Sequence, residues 1–162
     1  MTVDDFFSRL ERSGLGEAVR TTPLVYSSLE SVHILGIALL VGPAVAFDLR
    51  LLGAGRQLLP VTAAARHLLP LARFGFAVAA ASGVVLFVAG AVAVGDSGAA
   101  PWKLGLLILA GVNTAVFHRG ALRRVDGWDI GVPSPVRARA AAVVSILVWS
   151  GVIAAGRLLA YT

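Results

Sequence analysis

Cysteine is absent from the 162 residues, which excludes disulfides, thiolate metal sites, covalent haem attachment through Cys-x-x-Cys-His and cysteine redox chemistry. Charge is scarce: 14% of residues are charged, against about a quarter in a soluble domain of ordinary composition. Lysine is nearly missing, with one Lys beside thirteen Arg and nine acids. There is no Gly-rich phosphate loop, no His-Glu-x-x-His zinc helix and no serine nucleophile with a plausible base. Glu30 and His33 have Glu-x-x-His spacing, but a di-iron bundle needs that motif twice with further Glu. No residue is assigned a catalytic role, and an enzyme is not the expected reading. Residues Met1 to Arg20 hold no apolar stretch, so the first membrane span is expected to act as its own insertion signal.

What is present is apolar: 57% of the chain is hydrophobic and its mean hydropathy is +0.84. A net charge of +5 would suggest nucleic acid in a soluble protein. Here the arginines lie between long apolar runs, so they read as topology signals and no nucleic-acid partner is expected.

A spanning helix needs roughly 20 mostly apolar residues. Four segments qualify: 24–47, 68–94, 102–118 and 138–161. Tyr26, Trp102 and Tyr161 mark their ends, where amphipathic rings sit at the headgroups. The expected fold is all-α, an integral membrane antiparallel four-helix bundle spanning residues 24–162. Residues 1–23 form a separate N-terminal segment. There Val3, Phe6, Phe7 and Leu10 recur at helical spacing and Thr2 with Asp5 resembles a capping box. That pattern predicts a short amphipathic helix, broken near Ser13-Gly14, lying on the outer surface or packed on the bundle ends.

Arg50, Arg56 and Arg66 fall in the first loop, and Arg119, Arg123, Arg124, Arg137 and Arg139 in the third. The second loop has one acid and no base. Both arginine-rich loops are therefore expected on the cytoplasmic side and both termini outside. Asp126 to Asp129 and Gly131 to Pro135 read as turns. Glycines and alanines within the spans favour a tight bundle over an open pore.

A charge at mid-bilayer costs about 2.5 to 3.5 kcal/mol on insertion scales, so each needs a partner or a purpose. Counted inward, Glu30, His33, Lys103 and Arg157 gather in the outer half. At about 100° per residue, Glu30, His33, Ile37, Val41 and Asp48 share one stripe, and Ser150, Ala154, Arg157 and Tyr161 another. Two readings stay open. Glu30 neutralises Lys103 or Arg157, with His33 a packing residue; or His33 ligates a metal, haem iron before copper, with Lys103 and Arg157 at the propionates.

At the inner end His67 and His118 could bracket a metal, or be ordinary interfacial histidines. His33 lies about 15 Å or more from them along the normal, too far for a shared haem. Asp48 is expected to pair with Arg50 or with an arginine of the third loop. Ser82, Asn113, Ser145 and Ser150 are expected to make interhelical hydrogen bonds.

The string Leu29 to Gly42 containing Glu30 and His33, then Asp48-Leu49-Arg50-Leu51-Leu52-Gly53, resembles a family of uncharacterised four-helix bacterial membrane proteins, a domain of unknown function. Ser82-Gly83, Leu86-Phe87, Lys103-Leu104, Ala110-Gly111, Asn113, Phe117-His118 and Gly156 to Tyr161 extend the match from about Val25 to the C-terminus. More distantly, a His early in the first span and a Lys opening the third are similar to copper-resistance protein D and to HemJ. The HemJ likeness implicates His33 and Lys103 in haem binding. The resemblance implies a multi-pass protein of the bacterial inner membrane. Three roles are in view: a b-type haem or metal protein for electron transfer or metal handling, a non-catalytic subunit or scaffold, or a transporter of a small solute or protons. Expected partners are the lipid bilayer, anionic headgroups at the arginine-rich loops, and a second copy or a partner membrane subunit.

Overall fold

A computed structural model describes residues 3–159. The elements are α1 (Val3–Glu11), α2 (Gly14–Thr21), α3 (Val25–Leu52), α4 (Val61–Ala89), α5 (Ala91–Asp96), α6 (Ala99–Arg119), a 3-10 helix η1 (Ala121–Gly127) and α7 (Val136–Leu159). Helices α3, α4, α6 and α7 begin the four stretches long and apolar enough to cross a membrane, and the chain is a multi-pass, all-α membrane bundle. Thr2 of the expected capping box and the Tyr161 end marker lie outside the described residues.

The helices overrun their apolar runs where another segment supplies what the sequence lacks locally. Helix α3 continues five residues past Phe47, through Asp48 and Arg50, which are 6% and 2% exposed. It stops at Gly53, whose φ of 119° is left-handed backbone that glycine adopts without strain and whose amide reaches the Arg50 and Leu49 carbonyls. Helix α4 starts at Val61, seven residues before the expected Leu68. Pro60 has no side-chain oxygen with which to cap it, and Asp129 does so from the third loop. The Asp129 carbonyl accepts from Val61 N at 2.9 Å. Its carboxylate accepts from Thr62 N and Thr62 Oγ1, each at 2.8 Å. Asp129→Ala should therefore lower stability by about 1 kcal/mol, the usual worth of a helix cap. Unfolding in detergent measures it, and an unchanged midpoint would show the cap to be dispensable.

The spans pack in the order α4–α3–α7–α6, with seams α3–α4, α3–α7 and α6–α7. No comparable seam joins α4 to α6 among the described residues. The α3–α4 seam is backbone against backbone. A Cβ at Gly75 would run into Leu39, Leu40 and Gly36, and one at Gly36 would meet Ala79 N at 2.7 Å. In lipid, where apolar burial drives little association, such close approach is what holds helices together. The largest apolar cluster lies at the end bearing the arginine-rich loops: Phe47, Leu51, Val61, Ala64, Phe117, Trp128, Ala138 and Ala142. Phe47 and Phe117 meet there edge to face at 5.8 Å.

At the opposite end, α1 and α2 pack against α4 and α5. Phe7 sits edge-on to Phe87 at 6.2 Å and over Gly95, where no side chain obstructs it. The chain breaks between α4 and α5 at Gly90. Arg20 donates to the Ala89 carbonyl at 2.9 Å on one side of that break, and Glu11 accepts from Val92 N at 2.8 Å on the other. Glu11 and Arg20 also pair at 3.7 Å. The N-terminal segment thus packs on the bundle end, while Val3 and Phe6 stay 69% and 49% exposed.

Candidate functional site

His33 stands on the α4-facing side of α3. Its Nδ1 is 3.0 Å from Ser82 Oγ, and the ring lies where a Cβ of Gly83 would be, 2.9 Å from Cε1. Glycine at 83 therefore makes the room the imidazole occupies. Ser82 has one proton, and its Oγ is 2.7 Å from the Val78 carbonyl one turn back. Bonding back to the helix commits that proton, so Oγ turns a lone pair to His33. The neutral ring then carries its hydrogen on Nδ1 and leaves the Nε2 lone pair free, because the partner of one ring nitrogen sets the state of the other.

Lys103, in the first turns of α6, lies near enough for its charge to act on His33. Its Nζ rests 3.6 Å from where a Cβ of Gly156 on α7 would stand. The half-buried ammonium makes no hydrogen bond or ion pair with the described residues. All four spans thus contribute: His33 from α3, Ser82 and Gly83 from α4, Lys103 from α6 and Gly156 from α7.

Glu30 and Arg157 stand differently. Glu30 is exposed, one turn from Tyr26, on whose phenol its charge acts. No Glu30–Lys103 ion pair forms, because a three-residue step turns Glu30 about 60° from the inward His33. Arg157 is also exposed. The stripe of Ser150, Ala154 and Arg157 faces off the bundle, and Ser150 bonds its own Ile146 carbonyl at 2.8 Å instead of crossing to a neighbour. The first-span stripe divides as well, with His33 meeting α4 and Asp48 meeting α7.

The other polar groups of the spans do cross. Asn113 Nδ2 donates to the Ala141 carbonyl at 2.9 Å, tying α6 to α7. Ser145 of α7 lies near enough to act on the Asp48 carboxyl of α3. Among the described residues Asp48 pairs with no arginine, and its Oδ2 has no hydrogen-bond partner. Arg50, two residues on, points to the other side of the helix. Its Nε donates to the Leu59 carbonyl and its second guanidinium nitrogen to the Asp129 carbonyl at 2.9 Å.

His67 and His118 each turn Nδ1 to the carbonyl one turn back, Ala63 at 2.8 Å and Thr114 at 2.9 Å. Among the described residues no group of three His, Asp or Glu gathers as a metal site. What the protein offers a ligand is one basic imidazole nitrogen beside one ammonium unpartnered among the described residues. Two surface cavities lie elsewhere, one along the end of α6 and one beside the Asp129 cap.

The sequence marked Gly83 and Gly156 only as small residues of a tight bundle, not as the floors under His33 and Lys103, and Asp129 only as a turn residue. The signal for the glycines was their small size at a helical contact. For Asp129 there was none, since its partners are 67 residues away. No curated protein and no solved structure matches the chain. The model of DUF6644, a family of unknown function, matches residues 6–162, and the chain belongs to that family.

Proposed function

We propose that this protein binds a b-type haem through His33 and serves membrane electron transfer in the bacterial cytoplasmic membrane, with its arginine-rich loops inside and its termini outside. The observation that carries the reading is the imidazole with Nδ1 held by Ser82 and Nε2 uncommitted, near a half-buried ammonium that has no partner among the described residues. A held Nδ1–H fixes ring orientation and raises ligand basicity, the usual outer-shell support of a ligating His. Lys103 would counter a propionate, with Arg157 on the same level of the neighbouring helix, and the intramembrane charge then has an anion beside it. Haem supplies one-electron redox chemistry, and the protein's part is ligation, orientation and charge balance. The distant similarity of His33 and Lys103 to the HemJ pattern adds to this reading. The absence of a three-residue metal cluster among the described residues favours haem, which brings four nitrogens of its own, over copper.

Protein purified in detergent after growth with haem supplied should show a Soret band. His33→Gly should abolish it, and added imidazole should restore part of it. Ser82→Ala should weaken haem affinity on the order of tenfold, the low end of outer-shell effects. A folded protein without a Soret band, or a band that survives His33→Gly, would leave His33, Ser82 and Lys103 as helix-registering groups of a scaffold.

A further inference from the structure

Helix α6 is the outermost member of the row. It packs on α7 and η1, and only 11% of its most apolar window is buried, the lowest share of the four spans. On its free side Val112, Ala115 and Val116 line a groove with Arg119 and Gly120, about 460 Å³ in volume. The apolar residues recur at helical spacing, so they form one strip parallel to the helix axis. Arg119 closes that strip at the membrane end carrying the arginine-rich loops. It makes no hydrogen bond or ion pair with the described residues, and no acid lines the groove. Arg123 and Arg124 follow within five residues, both exposed.

We infer that this groove is a binding site for one anionic phospholipid, the acyl chain along Val112, Ala115 and Val116 and the phosphate at Arg119. Charge complementarity selects the occupant. The groove is apolar along its length and cationic at its end, the order in which a lipid presents chain and headgroup. A second copy of the chain would bring another Arg119 with it and has no acid in this groove to offer.

Native mass spectrometry of the detergent-purified protein, titrated with phosphatidylglycerol or phosphatidylcholine of the same chains, tests this. The wild type should retain one phosphatidylglycerol about fivefold more strongly than phosphatidylcholine, the effect of one arginine at an anionic surface. Arg119→Gln should remove the preference and leave chain binding. Val116→Trp, at an exposed position that does not disturb the core, should block both lipids. Equal retention of the two lipids by the wild type would overturn the site. So would an undiminished preference in Arg119→Gln, or a dimer that Val116→Trp dissociates while lipid retention is unchanged. Free phosphate added in place of lipid should bind no better to the wild type than to Arg119→Gln. A phosphate adduct dependent on Arg119 alone would show a bare anion site and overturn the lipid one.

Discussion

Gly75→Ala should destabilise the bundle by about 3 kcal/mol, the upper part of the usual overpacking range. The added Cβ has no room to yield into, since its neighbours are the backbones of Leu39, Leu40 and Gly36, not the ends of flexible side chains. Helix α3 would have to move off α4, and that seam also carries the His33–Ser82 contact nearer the N-terminal helices. Two controls sharpen the test. Gly42 lies on the same α3 helix and Gly111 on α6, and a Cβ at either meets nothing within 4 Å. Gly42→Ala and Gly111→Ala should be neutral, or more stable by up to about 1 kcal/mol from the gain in helix propensity. The measurement is unfolding by denaturing detergent with helicity as the readout. If all three variants unfold together, packing along α3–α4 is not what holds the bundle.

Arg50→Ala should be the second large effect, again about 3 kcal/mol. The side chain is 2% exposed and donates to two backbone carbonyls, Leu59 before α4 and Asp129 after η1. Each hydrogen bond from a charged group contributes about 1.5 to 3 kcal/mol. Against this, one guanidinium nitrogen has no partner in the native protein, so part of the burial cost of the charge is relieved on its removal. Arg50→Lys should recover little, because a single ammonium does not reproduce a planar fork spanning two acceptors. The expected signature is local as well as global. The α3–α4 connection and η1 should become open to trypsin, which cuts at Arg56, Arg66, Arg123 and Arg124, all exposed. Wild-type resistance in the Ala variant would mean that the Asp129–Thr62 cap alone closes this end.

The four spans were legible because the requirement is crude: enough consecutive apolar residues to cross, with charge at the ends. Their limits were not. Asp48 and Arg50 look like the start of a loop, since an isolated charge ends an apolar run. The helix continues through them because the Leu59 and Asp129 carbonyls accept from Arg50, the latter 79 residues away, and Ser145 of α7 stands at Asp48. The break at Gly90, five residues before the apolar run gives out, depends in the same way on Arg20 and Glu11 reaching across from the N-terminal helices.

The polar residues divide along the same line. That His33 and Lys103 both lie toward the end away from the arginine-rich loops follows from counting residues along helices of fixed rise. That His33 bonds Ser82 while Glu30, one turn away, faces outward does not. A helical stripe some 60° wide straddles two neighbours, and which of them a side chain meets depends on how the helices are rotated against each other. Close packing at Gly36 and Gly75 sets that rotation for α3 and α4. Composition and hydropathy by themselves determined a four-span, all-α membrane protein with most of its arginines about two loops, because the cost of exposing backbone and charge to lipid is local and additive. The tertiary structure decided the His33–Ser82 bond, the approach of Lys103 to Gly156, and the Arg50–Asp129 closure, because those depend on which surfaces touch after the chain has turned back on itself.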